Sequence, residues 1–300
     1  MHLAIGTISL ENLIEVEELP EKNEDVIVKS HNQIFSGAAG NIAAMLSNLG
    51  LETSLFSMVG NDNQGKSLIQ EMDSYGVDTT NLFLSEEHPT SLFTCIMDQQ
   101  GQRNVYLAKG ASFFFNDDEI RKLLKQRWDS ISIVGLRKEQ YSLVISYARE
   151  TKTYLNVGTL ISSGQLQKDD FEFFVGPVNL FMNDSEAKRF LMSEEINFRE
   201  YFNYSQTLQN VIITRGEKGS LLLTRNESYT VNKIPTTKVK NTLGCGDAFM
   251  AGWTYGDIKG YSPREKLWCG HCCSKEVAES ISGRTLKRID IKKTIVEEYC

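Results

Sequence analysis

The sequence predicts an α/β fold with a mostly parallel central sheet between helical layers and a small β-sheet lid. Short apolar runs alternate with helical segments along the chain, which is typical of a parallel sheet covered on both faces. Two longer extended segments, about 11–36 and 88–110, have no helix between their strands and would form the lid. One domain spanning residues 1–300, with the lid segments inserted in the α/β body, is therefore expected.

The first predicted helices both run up to a glycine, which favours the left-handed backbone that ends a helix. The predicted elements of the body are strand His2–Ile5, helix Asn41–Leu49, strand Thr53–Val59, helix Gln64–Tyr75, and strands Ile131–Val134, Tyr154–Val157, Leu180–Met182 and Val211–Thr214. In the lid, Asp25–Phe35 and Ser91–Leu107 are expected to be extended, with a hairpin turn at Asp98–Gly101.

Composition limits the possible partners. The 300 residues carry a net charge of −7, which argues against a nucleic-acid groove. The amino terminus lacks the basic start and long apolar core of a signal peptide, and no apolar run approaches the ~20 residues that span a bilayer. Six cysteines in a chain of this size are too sparse for a disulfide framework. A cytoplasmic protein with reduced thiols, and with neither nucleic acid nor membrane as a partner, is expected.

A glycine-rich turn leads into a helix at Asn241–Gly252. Glycines let backbone N–H groups point at one spot, and the helix start adds positive charge, so the turn favours an anion such as phosphate. A carboxylate beside phosphate is unfavourable unless it has a role, and Asp247 could accept a proton from a hydroxyl that attacks a phosphoryl group. The alternative is that Asp247 only caps the helix.

A second glycine-containing segment is Ser36–Ala43. Its small residues would let a substrate approach the backbone, and Asn41 could bind hydroxyl groups through both its donor and its acceptor. The alternative is a loop-to-helix junction with Asn41 as the N-cap.

Together these segments resemble the two signatures of the PfkB carbohydrate kinase family, also called ribokinase-like. The matching positions are Gly37, Gly40, Asn41, Ala43, Gly50 and Gly60 in the first, and Thr242, Gly244, Gly246, Asp247, Ala251 and Gly252 in the second. The resemblance implies a ribokinase-like three-layer α/β/α sandwich and an ATP- and Mg²⁺-dependent carbohydrate kinase. The γ-phosphate would pass to a hydroxyl, which is expected to be a hydroxymethyl group, with Asp247 as base and Gly244, Cys245 and Gly246 forming the anion hole. Gly37, Gly40, Asn41 and Asp247 would bind substrate.

Two lesser segments resemble cofactor-binding features of the family. Asn183 and Glu186 match its Asn-x-x-Glu motif, which implies that Glu186 holds magnesium through water; the alternative is a capping box. The segment Thr214–Gly219 resembles the nucleotide loop, with Thr214, Gly216 and Gly219 near phosphate alongside Gly244 and Gly246. The alternative is a glycine turn between strands Val211–Ile213 and Ser220–Thr224.

The sequence also departs from the family pattern. Glu11 stands where an aspartate would bind sugar hydroxyls; Asn12 could make that contact instead, or Glu11 could begin an acidic, solvated stretch. Asn241 replaces an aspartate near the family's monovalent-cation site, which weakens the case for potassium activation. Cys245, at a helix start, is expected to have a depressed thiol pKa.

Two further expectations concern other parts of the chain. Arg103 would lie in lid segments that close over the substrate. Cys269, His271, Cys272 and Cys273 follow a Ser262-Pro263 helix start, and the thiols are expected to be buried in the core rather than to bind metal.

Rival functions remain open. A nucleoside kinase of the same family is the nearest alternative to a sugar kinase. A catalytically silent regulator that binds sugar or nucleotide is a further alternative, against which the intact Gly244, Gly246 and Asp247 argue. The unpaired strands of a lid would also permit a homodimer.

Overall fold

The computed structural model describes residues 1–100, 102–170, 174, 176–205, 207–236, 239–240, 242–280, 284, 289 and 291. Its larger sheet is built from β1 (His2–Gly6), β4 (Thr53–Gly60), β5 (Leu82–Ser85), β8 (Ser130–Val134), β9 (Lys152–Asn156), β10 (Val178–Asn183), β11 (Leu208–Thr214), β12 (Ser220–Thr224) and β13 (Ser228–Val231). The spatial order is β13-β12-β11-β10-β9-β8-β1-β4-β5, and the pairings are parallel except for those of β12 with β11 and β13. The predicted mostly parallel sheet is confirmed.

A smaller sheet contains β2 (Ser9–Glu15), β3 (Ser30–Ser36), β6 (Leu92–Met97) and β7 (Arg103–Ala108), in the order β3-β2-β6-β7. The strands β6 and β7 pair antiparallel, with Met97 opposite Arg103. The Asp98 carboxylate accepts the backbone N–H groups of Gln100 and Gln102 in the connecting turn. The predicted lid sheet and hairpin are therefore present; Gly101 lies outside the described residues.

Helices cover both faces of the larger sheet. They are α1 (Ala38–Asn48), α2 (Asn63–Ser74), α3 (Asp117–Leu123), α4 (Lys138–Tyr147), α5 (Gly158–Ser162), α6 (Asp184–Leu191), α7 (Arg199–Tyr204), α8 (Cys245–Ile258) and α9 (Pro263–Ala278). On β1, Leu3 and Ile5 belong to the apolar cluster under α3–α7, whereas Ala4 belongs to the cluster under α1, α2, α8 and α9. Alternate side chains thus enter two cores, which confirms the three-layer sandwich.

Three local predictions were wrong or incomplete. The strand β2 was predicted only as part of the lid segment at about 11–36 and not as a separate strand, because Glu11 and Glu15 interrupt its apolar pattern; it pairs with both β3 and β6. The strand β3 begins only at Ser30, so residues 25–29 are not part of it. The helix α1 begins at Ala38 with Gly37 as its N-cap, which places Asn41 inside the helix rather than at its cap.

The prediction for α9 is confirmed. Ser262 caps the helix in a capping box with Glu265, and Pro263 is its first residue. The thiols of Cys269, Cys272 and Cys273 are buried in the core.

Within the described ranges, no helix combines the length and the apolar character needed to cross a membrane.

Candidate active site

The site lies where the connections of the sheet diverge. β1 leads through α1 to β4 on one side, whereas β8 pairs with the other side of β1 and continues toward β11. Such a switch point leaves a crevice at the carboxyl ends of the strands, which is where α/β sheets bind ligands. The first turns of α1 and α8 lie side by side here, and the lid strands β2 and β3 lead into the same region.

The structure brings the two signature motifs into direct contact. Asn41 Nδ2 donates a hydrogen bond of 2.8 Å to Asp247 Oδ2, although the residues are 206 positions apart. Gly244, with φ 74°, is the N-cap of α8, and Asp247 lies in the first turn with its side chain turned toward α1. The alternative in which Asp247 serves only as a cap is therefore wrong.

The environment of Asp247 favours its neutral form. Burial raises the pKa of its carboxyl to about 6; the Asn41 hydrogen bond and the Arg284 charge oppose this increase, and the Glu11 charge adds to it. A carboxyl with a pKa near 6 is still mostly ionised at neutral pH, and it is a stronger base than an ordinary aspartate. The site is thus suited to remove a proton from a hydroxyl group.

Glu11 reaches the same region from β2. Its side chain is 5% exposed, so the predicted acidic, solvated stretch does not begin there. Burial raises the pKa of Glu11, while a hydrogen bond with Ser36 and the charge of Arg103 lower it. Asn12 alternates to the other face of the lid sheet, where its Oδ1 accepts a 3.0 Å hydrogen bond from Gln33 Nε2.

Two glycines of the first signature, Gly37 and Gly40, are surrounded by protein atoms. A Cβ on Gly37, where φ is 94°, would lie 2.4 Å from Ile8 Cα. A Cβ on Gly40 would lie 2.4 Å from Arg284 Nη2. Packing therefore requires glycine at both positions, independently of any contact between their backbones and a substrate.

A cavity of about 220 Å³ lies on the other side of the α8 start. Its walls include the predicted cofactor residues Thr214, Gly216, Gly219 and Gly246, together with Cys245. A Cβ on Gly246 would meet nothing within 4 Å, so its backbone faces open space. At the start of α8, the Cys245 N–H donates to the Thr242 carbonyl oxygen at 3.4 Å. By helix geometry, the next amides, those of Gly246 and Asp247, have no carbonyl partner one turn earlier in the helix and are suited to bind an anion.

Several walls of this cavity were not predicted. They are Lys233, Phe249, His271, Ser274 and Lys275. His271 pairs with Ser220 through a 2.9 Å contact between Nε2 and Oγ, and burial lowers the pKa of its imidazole to about 4, so the ring is neutral. His271, Ser274 and Lys275 lie on one face of α9. Their spacing in the sequence indicates this shared face, but the segment was interpreted only for its cysteine thiols.

The expected depression of the Cys245 thiol pKa is wrong. Burial raises the pKa of this thiol, and the charge of Asp247 raises it further. Desolvation therefore outweighs the helix start, and the hydrogen bond from the thiol to the Ser274 carbonyl oxygen, at 3.6 Å, offsets it only in part.

Asn183 and Glu186 form the capping box that was considered as the alternative. Asn183 Oδ1 accepts the Glu186 N–H at 2.8 Å, and Glu186 Oε2 accepts the Asn183 N–H at 2.8 Å. Asn183 also pairs with Thr214 in the register of β10 and β11, so the box stands at the same sheet edge as the cavity. Burial raises the pKa of Glu186. Likewise, Thr214 and Ser220 close the predicted glycine turn between β11 and β12.

Arg284 is the site residue that sequence reasoning missed altogether. Its side chain is buried, and its guanidinium bonds to Asn41 Oδ1 at 3.0 Å, to the Ser36 carbonyl oxygen at 2.6 Å and to the Glu71 carboxylate. Arg103, which was predicted to bind substrate, is by contrast exposed on β7 within electrostatic range of Glu11. No sequence motif marks Arg284.

The chain is similar to known carbohydrate and nucleoside kinases. The profile described as "pfkB family carbohydrate kinase" matches residues 3–289. A nucleoside kinase of Methanocaldococcus jannaschii is 26% identical over 286 residues, which cover 94% of this chain and 91% of that protein.

Solved structures show the same fold. The crystal structure of the M. jannaschii nucleoside kinase has a TM-score of 0.83 at 22% identity, covering 99% of this chain and 98% of that one. A ribokinase of Thermotoga maritima has a TM-score of 0.84 at 17% identity and covers 99% of both chains. The chain therefore belongs to the pfkB family of carbohydrate kinases and is a phosphotransferase that acts on a hydroxyl group.

Proposed function

We propose that this protein transfers the γ-phosphate of ATP to a hydroxyl, most simply a hydroxymethyl group, of a small carbohydrate, with Asp247 as the general base. The observation that carries the proposal is the Asn41–Asp247 hydrogen bond at the start of α8, whose first amides open toward the cavity. One helix start thus presents a base on one side and an anion site on the other.

In this mechanism Asn41 and Glu11 bind and orient the acceptor, and Asp247 takes its hydroxyl proton as the oxygen attacks phosphorus. The amides of Gly244–Asp247 lie where negative charge spreads over the transferred group. The lid strands that carry Glu11 and Arg103 exclude water, which would otherwise accept the phosphoryl group.

Magnesium fits the residues at the sheet edge. Glu186 supplies a partly buried carboxylate that accepts the N–H of Asn183, and Asn183 pairs with Thr214 in the sheet. The described residues hold no cluster of three or more His, Cys, Asp or Glu side chains that could bind a metal ion. Mg²⁺ commonly keeps several waters and binds through one carboxylate plus phosphate oxygens. Glu186 would hold it through water, and the ion would neutralise charge on the nucleotide phosphates.

A nucleoside kinase is the second candidate, and the M. jannaschii relative named as such favours it. Release of ADP should be measured with a panel of ketoses, pentoses, a deoxy-gluconate and nucleosides. Turnover confined to nucleosides would replace the sugar kinase proposal. Absence of ADP release with every compound, alongside measurable ATP binding, would instead favour a silent regulator.

Glu11→Gln is expected to lower kcat/KM for the acceptor by about 10-fold, mostly through KM. The substitution removes a charge-assisted hydrogen bond to substrate hydroxyls, a class of bond that contributes about 1.5–3 kcal/mol. Steady-state kinetics at saturating ATP would measure the change. Glu15→Gln, on the same strand but exposed, is the matched control and should leave kcat/KM unaltered. Equal kinetics in both variants would remove Glu11 from the acceptor site.

The pH dependence follows from the raised pKa of Asp247. The base must be ionised, so kcat/KM should rise with pH and level off above an apparent pKa of about 6. Values of kcat/KM from about pH 5 to about pH 9, measured with substrates that do not titrate in this range, would define this acid limb of the pH profile. An apparent pKa near that of an ordinary aspartate would show that another group, or a solvated Asp247, limits the reaction.

A homodimer through the lid stays a prediction, as does a cytoplasmic location. The lid strand β7 is exposed along its length, including Val105 and Tyr106. Light scattering of the purified protein would give its oligomeric state.

A further inference from the structure

We propose that Arg284 is a positioning residue that fixes the orientation of the Asn41 amide and thereby holds Asp247 ready to act as a base. This inference rests on the proposed role of Asp247. It adds a residue that neither signature motif contains and that lies 243 positions from Asn41 in the chain.

The guanidinium is held from three sides. Arg284 is only 3% exposed. Its Nε donates to Asn41 Oδ1, its Nη2 donates to the Ser36 carbonyl oxygen, and its Nη1 donates to the Glu71 carboxylate. These partners come from α1, from the end of β3 and from α2. The group is therefore fixed in position.

This arrangement decides which way the Asn41 amide points. A guanidinium can only donate hydrogen bonds, so the amide oxygen must face Arg284. The amide NH₂ then faces Asp247, where it donates at 2.8 Å. A flipped amide would place NH₂ against the guanidinium and oxygen against the carboxylate, which would replace two hydrogen bonds by two repulsions. Without Arg284, both orientations of the amide become accessible.

The local packing is shaped around this contact. A Cβ at position 40 would lie 2.4 Å from Arg284 Nη2 and 3.2 Å from Ile8 Cγ1, so only glycine leaves room for the guanidinium beside α1. Gly40 therefore serves the arginine as well as any ligand.

The charges around the pair act in opposite directions. The negative charge of Glu11, on β2, disfavours the ionised form of Asp247, whereas the positive charge of Arg284 favours it. Cys245 lies close to Asp247 on the same helix. Arg284 in turn faces Glu71 on α2 and Tyr75, the C-cap residue of that helix. Loss of the guanidinium would thus remove a positive charge near Asp247 and leave the charge of Glu11 unopposed.

Two substitutions test the proposal. Arg284→Met should raise the pKa of the Asp247 carboxyl by about 1 unit, because a nearby opposite charge shifts a carboxyl by about that much or more. It should also lower kcat by about 10-fold or more through misorientation of the base. Arg284→Lys keeps a positive charge but not the forked geometry, so kcat should fall while the pKa moves by less than about half a unit.

The pKa should be read by ¹³C NMR of the aspartate carboxyl that is missing from the Asp247→Asn spectrum, and by the acid limb of kcat/KM. Asp257→Asn is the matched control, since Asp257 is a buried carboxylate bonded to Lys266 at 2.6 Å and to Lys152 at 3.1 Å. It should lower Tm without moving the titration of Asp247.

The outcomes separate the two proposals. An unmoved titration in Arg284→Met, with an active wild type, would overturn the role of Arg284 alone. A wild type that phosphorylates no acceptor would end the kinase proposal, while the NMR titration would still test the arrangement. If Arg284→Met does not fold, Arg284→Lys decides, and wild-type kcat in that variant would overturn the role.

Discussion

Asp247→Asn is expected to lower kcat by at least ~10²-fold while leaving the Kd of ATP within about twofold. The amide cannot accept the hydroxyl proton, but the amides of the α8 start and the cavity walls remain in place. ADP release with the best acceptor gives kcat, and titration calorimetry gives the ATP affinity. Wild-type turnover in this variant would refute the assignment of Asp247 as base.

Thermal stability shows whether the lost activity reflects unfolding. The folded-state pKa of Asp247 is about 6, above its ordinary value of 3.8, so its ionisation disfavours folding as the pH rises through this interval. The full cost applies above about pH 6 and is absent below about pH 4. At one pKa unit per ~1.4 kcal/mol, reduced for partial exposure, Asp247→Asn should be more stable by about 1–2 kcal/mol at pH 7. Lower stability would indicate that the carboxylate also supports the fold.

Gly252→Ala is expected to destabilise the protein by about 2–3 kcal/mol, although alanine is the better helix former by about 1 kcal/mol. The new Cβ would lie 2.3 Å from the Cys269 carbonyl oxygen and 2.8 Å from Cys273 Sγ, so α8 and α9 would have to move apart. Because α8 carries Asp247 and α9 lines the cavity, the change should also raise the KM for ATP. Urea unfolding would measure the free energy.

Gly246→Ala is the control for this stability measurement. It lies in the first turn of the same helix, and its Cβ would meet nothing within 4 Å. Its free energy of unfolding should therefore be equal to or slightly above that of the wild type. A similar loss in both variants would mean that the contact between α8 and α9 does not set the requirement for glycine at position 252.

The alternation of strands and helices was readable because its signals are local. Glycines after Leu49 and Tyr75, and short apolar runs for β1, β4 and β8, gave the body of the fold within a few residues. The strand β2 was hidden because its buried face carries Glu11, a charged residue that is rarely buried. Because Glu11 occupies a buried position of β2, the strand lacks the apolar pattern by which it could have been predicted.

Some residues of the candidate site could likewise be predicted from local sequence, and one could not. The pairing of Asn41 with Asp247 could be anticipated from two motifs, since each motif has its own local signature. The role of Arg284 could not be anticipated, because nothing in the neighbouring sequence distinguishes it from the rest of the 32 lysines and arginines of the chain. Its role depends on a contact with α1 that only tertiary structure creates.

The span of the Arg284–Asn41–Asp247 chain has a consequence for synthesis of the protein. Its members stand at positions 41, 247 and 284, so a growing polypeptide acquires the base long after α1 and acquires the guanidinium last. Contacts between such distant positions close late and slowly in folding. A nascent chain therefore lacks the complete set of contacts among Arg284, Asn41 and Asp247 until residue 284 has been synthesised, after both α1 and α8.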